Sequence, residues 1–202
     1  LPHLRWLMVS LIFLATVINY IDRQTVSVLK TAISTDLGLS NADYAAIQNS
    51  FLLMYGISQM VSGRLYDRIG TRLGFVFSIV VWSAAAVAHA FARTPEMFKP
   101  FRGALGFGEA GNWPGAAKVV GEWFPVKERA LGMGIFNTGA AVGSAVSPPI
   151  IAWLAIAYGW RFTFIVTGLL GFGWLALWLL MFRVPEKHPW ITEAERAHIL
   201  SD

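Results

Sequence analysis

Six long apolar stretches, separated by short polar and basic segments, dominate the hydropathy pattern of this chain. They cover residues 4–29, 44–62, 73–91, 97–124, 130–158 and 162–182. A helix needs roughly 17–25 apolar residues to cross a bilayer, and each stretch is at least that long. The pattern therefore predicts an all-α membrane protein with six transmembrane helices.

The pattern turns polar after the sixth stretch. Thr192 and Glu195 have the spacing of a capping box, which predicts a short helix near the end of the sequence. This helix closes no domain of its own, as is typical of a linker. We therefore divide the chain into a membrane bundle over residues 1–184 and the start of a cytoplasmic linker over residues 185–202.

Composition supports the membrane class. Hydrophobic residues occupy 55% of the 202 positions and charged residues 14%, which is too apolar for a soluble domain of ordinary surface. The formal charge of +4 comes from basic residues between the apolar stretches, where they orient a membrane protein, so nucleic acid is not an expected partner. The absence of cysteine excludes disulfides and thiolate metal sites.

Basic residues are unevenly distributed between the two sides of the predicted bundle. Six crossings place both ends on the same side. The loops on that side carry Arg5, Arg64, Arg68, Arg72, Lys127, Arg129, Arg183, Lys187 and Arg196, against Lys30, Arg93, Lys99 and Arg161 on the other side. Because cytoplasmic loops are enriched in lysine and arginine, both ends are predicted to lie in the cytoplasm.

The sequence lacks the short motifs of common enzyme classes. It contains no HExxH, P-loop, Ser/His/Asp or multi-cysteine pattern, and its four histidines are scattered at positions 3, 89, 188 and 198. Residues 106–111 match Gly-x-Gly-x-x-Gly, but a dinucleotide site needs a strand before this motif and a soluble helix after it. We therefore expect neither an enzyme nor a bound cofactor.

The fourth stretch contains Arg102 and Glu109 near its middle. A charge at that depth costs at least about 2.5–3.5 kcal/mol, so such residues indicate a pathway or a binding site. Seven residues correspond to two turns, so both side chains share one helix face about 10.5 Å apart. Helical side chains lean toward the N-terminus, which predicts a stretched contact between them. Asp22, Tyr20 or a bound anion are the expected partners of Arg102.

Polar residues in other stretches allow two interpretations each. Asp22 and Arg23 point about 100° apart, so at most one faces the bundle centre squarely; alternatively, both lie at the outer interface with Arg23 reaching water. Tyr55 and Gln59 share a face and either bond a neighbouring helix or line a polar cavity. Asn137 either packs against a neighbouring helix or hydrogen-bonds a ligand.

The charged positions fit an internal repeat. Division of the six stretches into two triplets places Asp22 and Arg23 on the first helix of one triplet, and Arg102 and Glu109 on the first helix of the other. Two inverted 3+3 repeats with a binding site near the midplane are expected to show this arrangement.

Several motifs carry a family resemblance. Residues 63–72, read as Gly-x-x-x-Asp-Arg-x-Gly-x-Arg, resemble the signature loop between the second and third helices of the major facilitator superfamily. Residues 19–23, the pair Arg102 and Glu109, residues 122–129, and Pro148-Pro149 with Trp153 are similar to its anion:cation symporter branch. Within that branch they resemble bacterial hexuronate and related sugar-acid transporters. The resemblance spans essentially the whole chain, but only the N-terminal half of such a transporter.

The resemblance implies a role for each matching residue. Substrate binding would involve Arg23 and Arg102 on the carboxylate, with Tyr20, Tyr55, Gln59, Trp113 and Asn137 lining the cavity. Coupled protons would be carried by Asp22 and Glu109. The cytoplasmic gate would consist of Gly63, Asp67, Arg68, Gly70 and Arg72.

The expected function is proton-coupled symport of a monocarboxylate sugar acid, such as a hexuronate, across a bacterial inner membrane. Protons would be the coupling ion, and the partners would be the organic anion, the lipid bilayer and a C-terminal six-helix bundle. Protonation of Glu109 and Asp22 would remove two negative charges from a cavity that accepts an anion. An organic-anion exchanger without protons, a non-transporting sensor of the same fold and a half-size homodimer are the alternatives.

Overall fold

The computed structural model describes residues 3–200, so the ends of the two predicted domains at residues 1–2 and 201–202 lie outside the described residues. Regular secondary structure within residues 3–200 is entirely helical, which confirms the predicted all-α class. The helices are α1 (Leu4–Val28), α2 (Lys30–Leu37), α3 (Asn41–Ala88), α4 (Pro95–Glu109), α5 (Asn112–Trp123), α6 (Arg129–Tyr158), α7 (Trp160–Met181) and α8 (Glu193–Ile199), with short 3₁₀ turns at His89–Phe91, Val126–Glu128 and Pro185–Lys187.

Helix α3 is a hairpin of two arms, over residues 41–69 and 71–88, joined at Gly70. Gly70 has φ 80° and ψ 162°, a conformation that only glycine adopts readily. The Tyr66 hydroxyl lies 3.3 Å from the Ser78 hydroxyl, whereas twelve residues of straight helix would separate them by about 18 Å. The second and third apolar stretches are therefore antiparallel neighbours. The predicted loop over residues 63–72 is wrong in its length, because only Gly70 leaves the helical conformation.

The fourth apolar stretch forms two helices instead of the single helix predicted from its length. Helices α4 and α5 are separated by Ala110 and Gly111, whose φ and ψ angles remain right-handed helical. Pro114 lacks the N–H that would bond the Ala110 carbonyl, which weakens the hydrogen-bond ladder at this point. The backbone therefore keeps a helical conformation through Ala110 and Gly111, although the helical hydrogen bonds are weakened there. Among residues 3–200, four helices are long and apolar enough to cross a membrane: Leu4–Val28, Asn41–Phe91, Val126–Tyr158 and Trp160–Met181.

Helix α6 packs closely against α1. A Cβ atom added at Gly143 would lie 2.9 Å from the Val17 carbonyl oxygen, so the absence of a side chain allows the two backbones to approach. This contact brings the backbones of α1 and α6 close together. Helix α6 passes Pro148 and Pro149 without interruption.

Helices α7 and α8 hold the bundle together. Trp174 and Trp178 are buried, and their indole N–H groups donate to the carbonyl oxygens of Leu11 (2.8 Å) and Arg72 (3.1 Å), which connects α7 to α1 and α3. Helix α8 begins at the predicted cap, where Thr192 accepts from the Glu195 backbone N–H. The Glu195 carboxylate instead accepts from two backbone N–H groups at the start of α1, and thus attaches α8 to the bundle.

Candidate functional site

An ion pair between α1 and α4 forms the centre of the candidate site. The Arg23 Nε atom donates to Glu109 Oε2 at 2.9 Å. The Glu109 side chain is fully buried, while the Arg23 side chain remains 24% exposed. The second oxygen of Glu109, Oε1, has no hydrogen-bond partner among residues 3–200. The pair therefore joins an inaccessible acid to a cation that solvent or a ligand can reach.

Aromatic rings surround the Arg23 guanidinium. Its Cζ atom lies 4.9 Å from the ring centre of Tyr20, 4.8 Å from that of Tyr55 and 5.2 Å from that of Phe51. Its Nη2 atom donates to Asn19 Oδ1 at 3.3 Å. Cation–π contacts of this kind stabilise a partly desolvated guanidinium. The structure thus brings the predicted Tyr20 and Tyr55 together around Arg23.

Arg102 is buried beside Arg23, with only 1% of its surface exposed. Its Nε atom donates to Gln48 Oε1 at 3.2 Å, and its Nη2 atom donates to the Arg23 carbonyl oxygen at 2.6 Å. Its Nη1 atom lacks a partner within the described part of the chain. The acid on the same helix, Glu109, pairs with Arg23 instead of Arg102, in agreement with the stretched contact predicted from helix geometry. Gln48 was not among the predicted partners of Arg102.

Asp22 is buried inside the bundle and is 2% exposed. The Thr167 hydroxyl faces it, but that hydroxyl donates to the Phe164 carbonyl oxygen at 3.4 Å, and neither Asp22 oxygen accepts a hydrogen bond from the described residues. The alternative that placed Asp22 and Arg23 at the outer interface is wrong, because Asp22 is buried and Arg23 binds Glu109. An unpaired buried carboxylate is costly, which marks Asp22 as a functional candidate.

The remaining predicted binding residues are Trp113, Asn137 and Gln59. Trp113 packs edge-on against Phe136, with ring centres 5.0 Å apart, and the next residue, Asn137, is exposed on α6. Gln59 is half-buried one turn beyond Tyr55. Among the described hydrogen bonds, none joins these three side chains to Arg23, Arg102 or Glu109. Within residues 3–200, the structure therefore does not join these three residues to the charged centre by hydrogen bonds.

Several polar residues at the site were missed by sequence reasoning. Asn19 donates from Nδ2 to the Glu109 carbonyl oxygen at 3.4 Å. Gln48 donates from Nε2 to the Ser27 hydroxyl (3.3 Å) and to the Tyr44 hydroxyl (3.2 Å), which connects Arg102 to the far end of α1. The available signal was the four-residue spacing of Tyr44 and Gln48, which places both on one helix face.

The predicted gate residues connect the Gly70 turn to two other helices. Asp67 forms an ion pair with Lys118 on α5, with Oδ1 2.8 Å from Nζ. Arg72 donates from Nη2 to the Leu179 carbonyl oxygen on α7 at 2.5 Å. Gly63 is helical, and Arg68 is exposed. Lys118 was not predicted to take part, and Asp67 and Arg72 bind different helices.

An open groove of the bundle has a lining separate from these charges. It measures about 660 Å³ and lies between α4 and both arms of α3. Its lining is mostly apolar, with residues such as Leu53, Met54 and Phe107, and Lys99 is its one charged lining residue. An apolar groove of this kind suits lipid better than an organic anion, so we place the candidate site at the ion pair.

Comparisons with known proteins identify similar chains. The sequence profile of the Major Facilitator Superfamily matches residues 12–201. The Hexuronate transporter of Escherichia coli (strain K12) is 33% identical over 198 residues, which cover 98% of this chain and 46% of that protein. The Probable L-galactonate transporter of the same strain is 39% identical over 189 residues, covering 94% of this chain and 42% of that protein.

A solved structure shows the same fold. It is that of a bacterial homolog to the human lysosomal transporter Spinster, in an inward-facing and unoccupied conformation. The TM-score is 0.79 at 23% sequence identity, over 91% of this chain and 44% of the other. The chain thus spans about half the length of the curated relatives and of the solved structure that it matches.

Proposed function

The chain belongs to the Major Facilitator Superfamily, and from that premise we propose that it forms the N-terminal half of a proton-coupled symporter for a monocarboxylate sugar acid such as a hexuronate. The relatives described above are named transporters of sugar acids, and none of them is named as an enzyme. The observation that carries the proposal is the buried ion pair of Glu109 with the partly exposed Arg23.

The substrate carboxylate and the Glu109 carboxylate would compete for Arg23. Arg23 is the accessible guanidinium of the site, so it is the group that would receive the substrate carboxylate. In the observed arrangement its Nε is occupied by Glu109. A proton on Glu109 would neutralise the acid and release Arg23, so that an anion can bind. A substrate carboxylate and a charged Glu109 would otherwise share one cation.

Asp22 provides a second place for a proton. Its oxygens have no hydrogen-bond donor among the described residues, and the charged side chains that interact with it electrostatically are those of Glu109 and Arg102. Protonation of both acids would remove two negative charges from the site. Entry of an organic anion would then depend on the proton gradient, which couples the two fluxes.

The second half of the binding cage would come from a C-terminal six-helix bundle. Large apolar side chains on the first arm of α3 and on α6 are 62–88% exposed: Leu52, Leu53, Met60, Trp153 and Ile156. An apolar surface of this extent needs a lipid or protein cover. We assign part of it to the second bundle, with residues 185–202 as the linker. Both ends of residues 1–202 would lie on the cytoplasmic side of the inner membrane, beside the gate around Asp67.

Replacement of Glu109 by glutamine tests the coupling. The full-length E109Q protein, reconstituted in vesicles, should lose proton-driven accumulation of labelled hexuronate and keep counterflow exchange, because glutamine mimics the protonated acid. The matched control is Glu96→Gln, which removes an exposed carboxylate from the first turn of the same helix and should change neither flux.

The same assay separates the rival functions. Equal loss of accumulation and counterflow in E109Q would contradict the coupling role of Glu109. Wild-type uptake that is the same with and without a pH gradient would indicate an exchanger. Binding of the sugar acid without any flux would indicate a sensor.

A further inference from the structure

A second cluster of cations lies far from Glu109, at the end of the bundle that carries the Gly70 turn. It surrounds a cavity of about 410 Å³ where α7 ends and the second arm of α3 begins. The cavity is lined by Arg72, Phe182, Arg183, Val184 and Lys187. Three of its five lining residues are therefore basic, and they come from two separate parts of the chain.

Within the described part of the chain, these cations form no ion pair with an acidic side chain. Among the described residues, no carboxylate oxygen lies within 4.0 Å of the side-chain nitrogens of Arg72, Arg183 or Lys187. The Nε atom of Arg72 is buried without a hydrogen-bond partner, while its Nη2 atom is held by the Leu179 carbonyl oxygen. Three like charges around one cavity repel each other, and an anion in the cavity would relieve that repulsion.

The surface below the cluster is apolar. Phe182 is fully buried and stacks on Trp178, with ring centres 3.9 Å apart. This stacking holds one lining residue of the cavity in position. Leu73, next to Arg72, is 57% exposed, and Leu180 at the end of α7 is 68% exposed. Both leucines belong to helices that are apolar enough to lie in a membrane. A basic cavity thus adjoins a surface suited to hydrocarbon.

We propose that this cavity binds the phosphate of an anionic phospholipid, whose acyl chains lie along the exposed leucines of α3 and α7. A phosphate oxygen is a strong acceptor for arginine and lysine donors, and basic pockets between membrane helices are suited to anionic head groups. The bound lipid would bridge Arg72, beside the Gly70 turn, to the segment that follows α7. The site is separate from the transport site and does not depend on the role of Glu109.

The test measures lipid retention by the full-length protein. Native mass spectrometry of protein from nanodiscs of phosphatidylglycerol and phosphatidylcholine should show one retained phosphatidylglycerol. In the double variant R183Q/K187Q, its affinity should fall by about tenfold or more, because each basic residue contributes to the attraction. The matched control R64Q/K127Q removes two exposed charges outside the cavity and should retain the lipid as the wild type does.

The outcomes distinguish the possible sources of the phosphate. An equal loss of lipid in R183Q/K187Q and R64Q/K127Q would show general surface attraction and overturn the site. Displacement of phosphatidylglycerol by millimolar inorganic phosphate would overturn the lipid assignment, because the acyl chains would then contribute nothing. Unchanged thermal unfolding of both double variants in phosphatidylcholine alone would confirm that they fold, and transport is not part of the readout.

Discussion

Phe51 lies between the two guanidinium groups of the candidate site. Its ring centre is 5.2 Å from Arg23 Cζ and 4.8 Å from Arg102 Cζ. The face of an aromatic ring is electron-rich and attracts cations, so the ring offsets part of the repulsion between two like charges. At the residue scale, an apolar side chain thus contacts both cations of the candidate site.

Replacement of Phe51 by leucine should weaken substrate binding. Leucine keeps most of the apolar volume but removes both cation–π contacts, each of which contributes about 0.5–2 kcal/mol. The two contacts together contribute about 1 kcal/mol or more, so the KM for hexuronate uptake should rise by at least roughly fivefold, since about 1.36 kcal/mol corresponds to a factor of ten. Uptake kinetics at a series of substrate concentrations would measure the change.

A second phenylalanine provides the comparison. Phe77 is 40% exposed on the other arm of α3 and packs against Phe107. Phe77→Leu should leave KM unchanged, whereas Phe51→Tyr, which keeps an aromatic face, should retain most of the affinity. If F51L and F77L had the same KM, the cation–π role of Phe51 would be refuted.

Helix α3 depends on one glycine for its reversal. No heavy atom lies within 4 Å of a Cβ added at Gly70, so the cost of a side chain there is a backbone cost alone. Gly70→Ala should destabilise the protein by about 1–3 kcal/mol, because alanine rarely adopts φ 80° and ψ 162°. The change would appear as a lower midpoint of thermal unfolding in detergent.

Gly63 is the matched position on the first arm. It is helical and also has no heavy atom within 4 Å of an added Cβ. Gly63→Ala should therefore be neutral or stabilise the helix by up to about 1 kcal/mol. Equal destabilisation by G63A and G70A would argue against a specific role of the Gly70 conformation.

Helix α8 is attached to the bundle by a group of charges outside the membrane. Arg5 bridges Glu128 (3.1 Å) and Glu195 (3.1 Å), and His198 lies 2.9 Å from the other Glu128 oxygen. The hydrogen bond from His198 lowers the pKa of Glu128, and the charge of Arg5 acts in the same direction. Helix α8 is thus bound to the bundle through the carboxylates of Glu128 and Glu195.

The lowered pKa of Glu128 predicts how stability depends on pH. A carboxylate whose pKa is lowered by folding stabilises the folded state at pH values above its pKa in the unfolded chain, which is about 4.3. This contribution is lost as the pH falls through the lower pKa of the folded state. Wild type should exceed E128Q in unfolding midpoint at pH 6, and the difference should disappear at lower pH.

A carboxylate within α8 serves as the control. Glu193 pairs with Arg196 on the same helix and is 88% exposed at its side chain, so E193Q should match wild type throughout the pH range. A difference between wild type and E128Q that grows as pH falls would have the wrong sign for this interpretation.

At the scale of the whole molecule, the interior of the bundle differs in composition from its exposed surface. The interior holds the charges of α1 and α4 together with the indoles of α7. The first arm of α3 and helix α6 expose large apolar side chains instead. The proposed second bundle would cover part of this exposed surface, and the matched relatives are about twice as long as this chain.

Much of the architecture was determined by the sequence itself. The six apolar stretches, the helix after Thr192 and the burial of Arg102 and Glu109 follow from hydropathy, helix periodicity and the cost of charge in hydrocarbon. These are local properties, or properties of a single helix face. The helix bounds at residues 63–72 and at Ala110 were predicted wrongly. Hydropathy does not show where backbone hydrogen bonds continue and where they break.

Only the tertiary structure decided which side chains meet. Arg23 pairs with Glu109 across 86 residues of sequence, and Arg102 bonds Gln48 across 54. Helical periodicity places a residue on one face of its own helix, but the choice of facing helix depends on how all the helices pack together. Phe51 was therefore indistinguishable from any core phenylalanine until that packing placed it between two arginines.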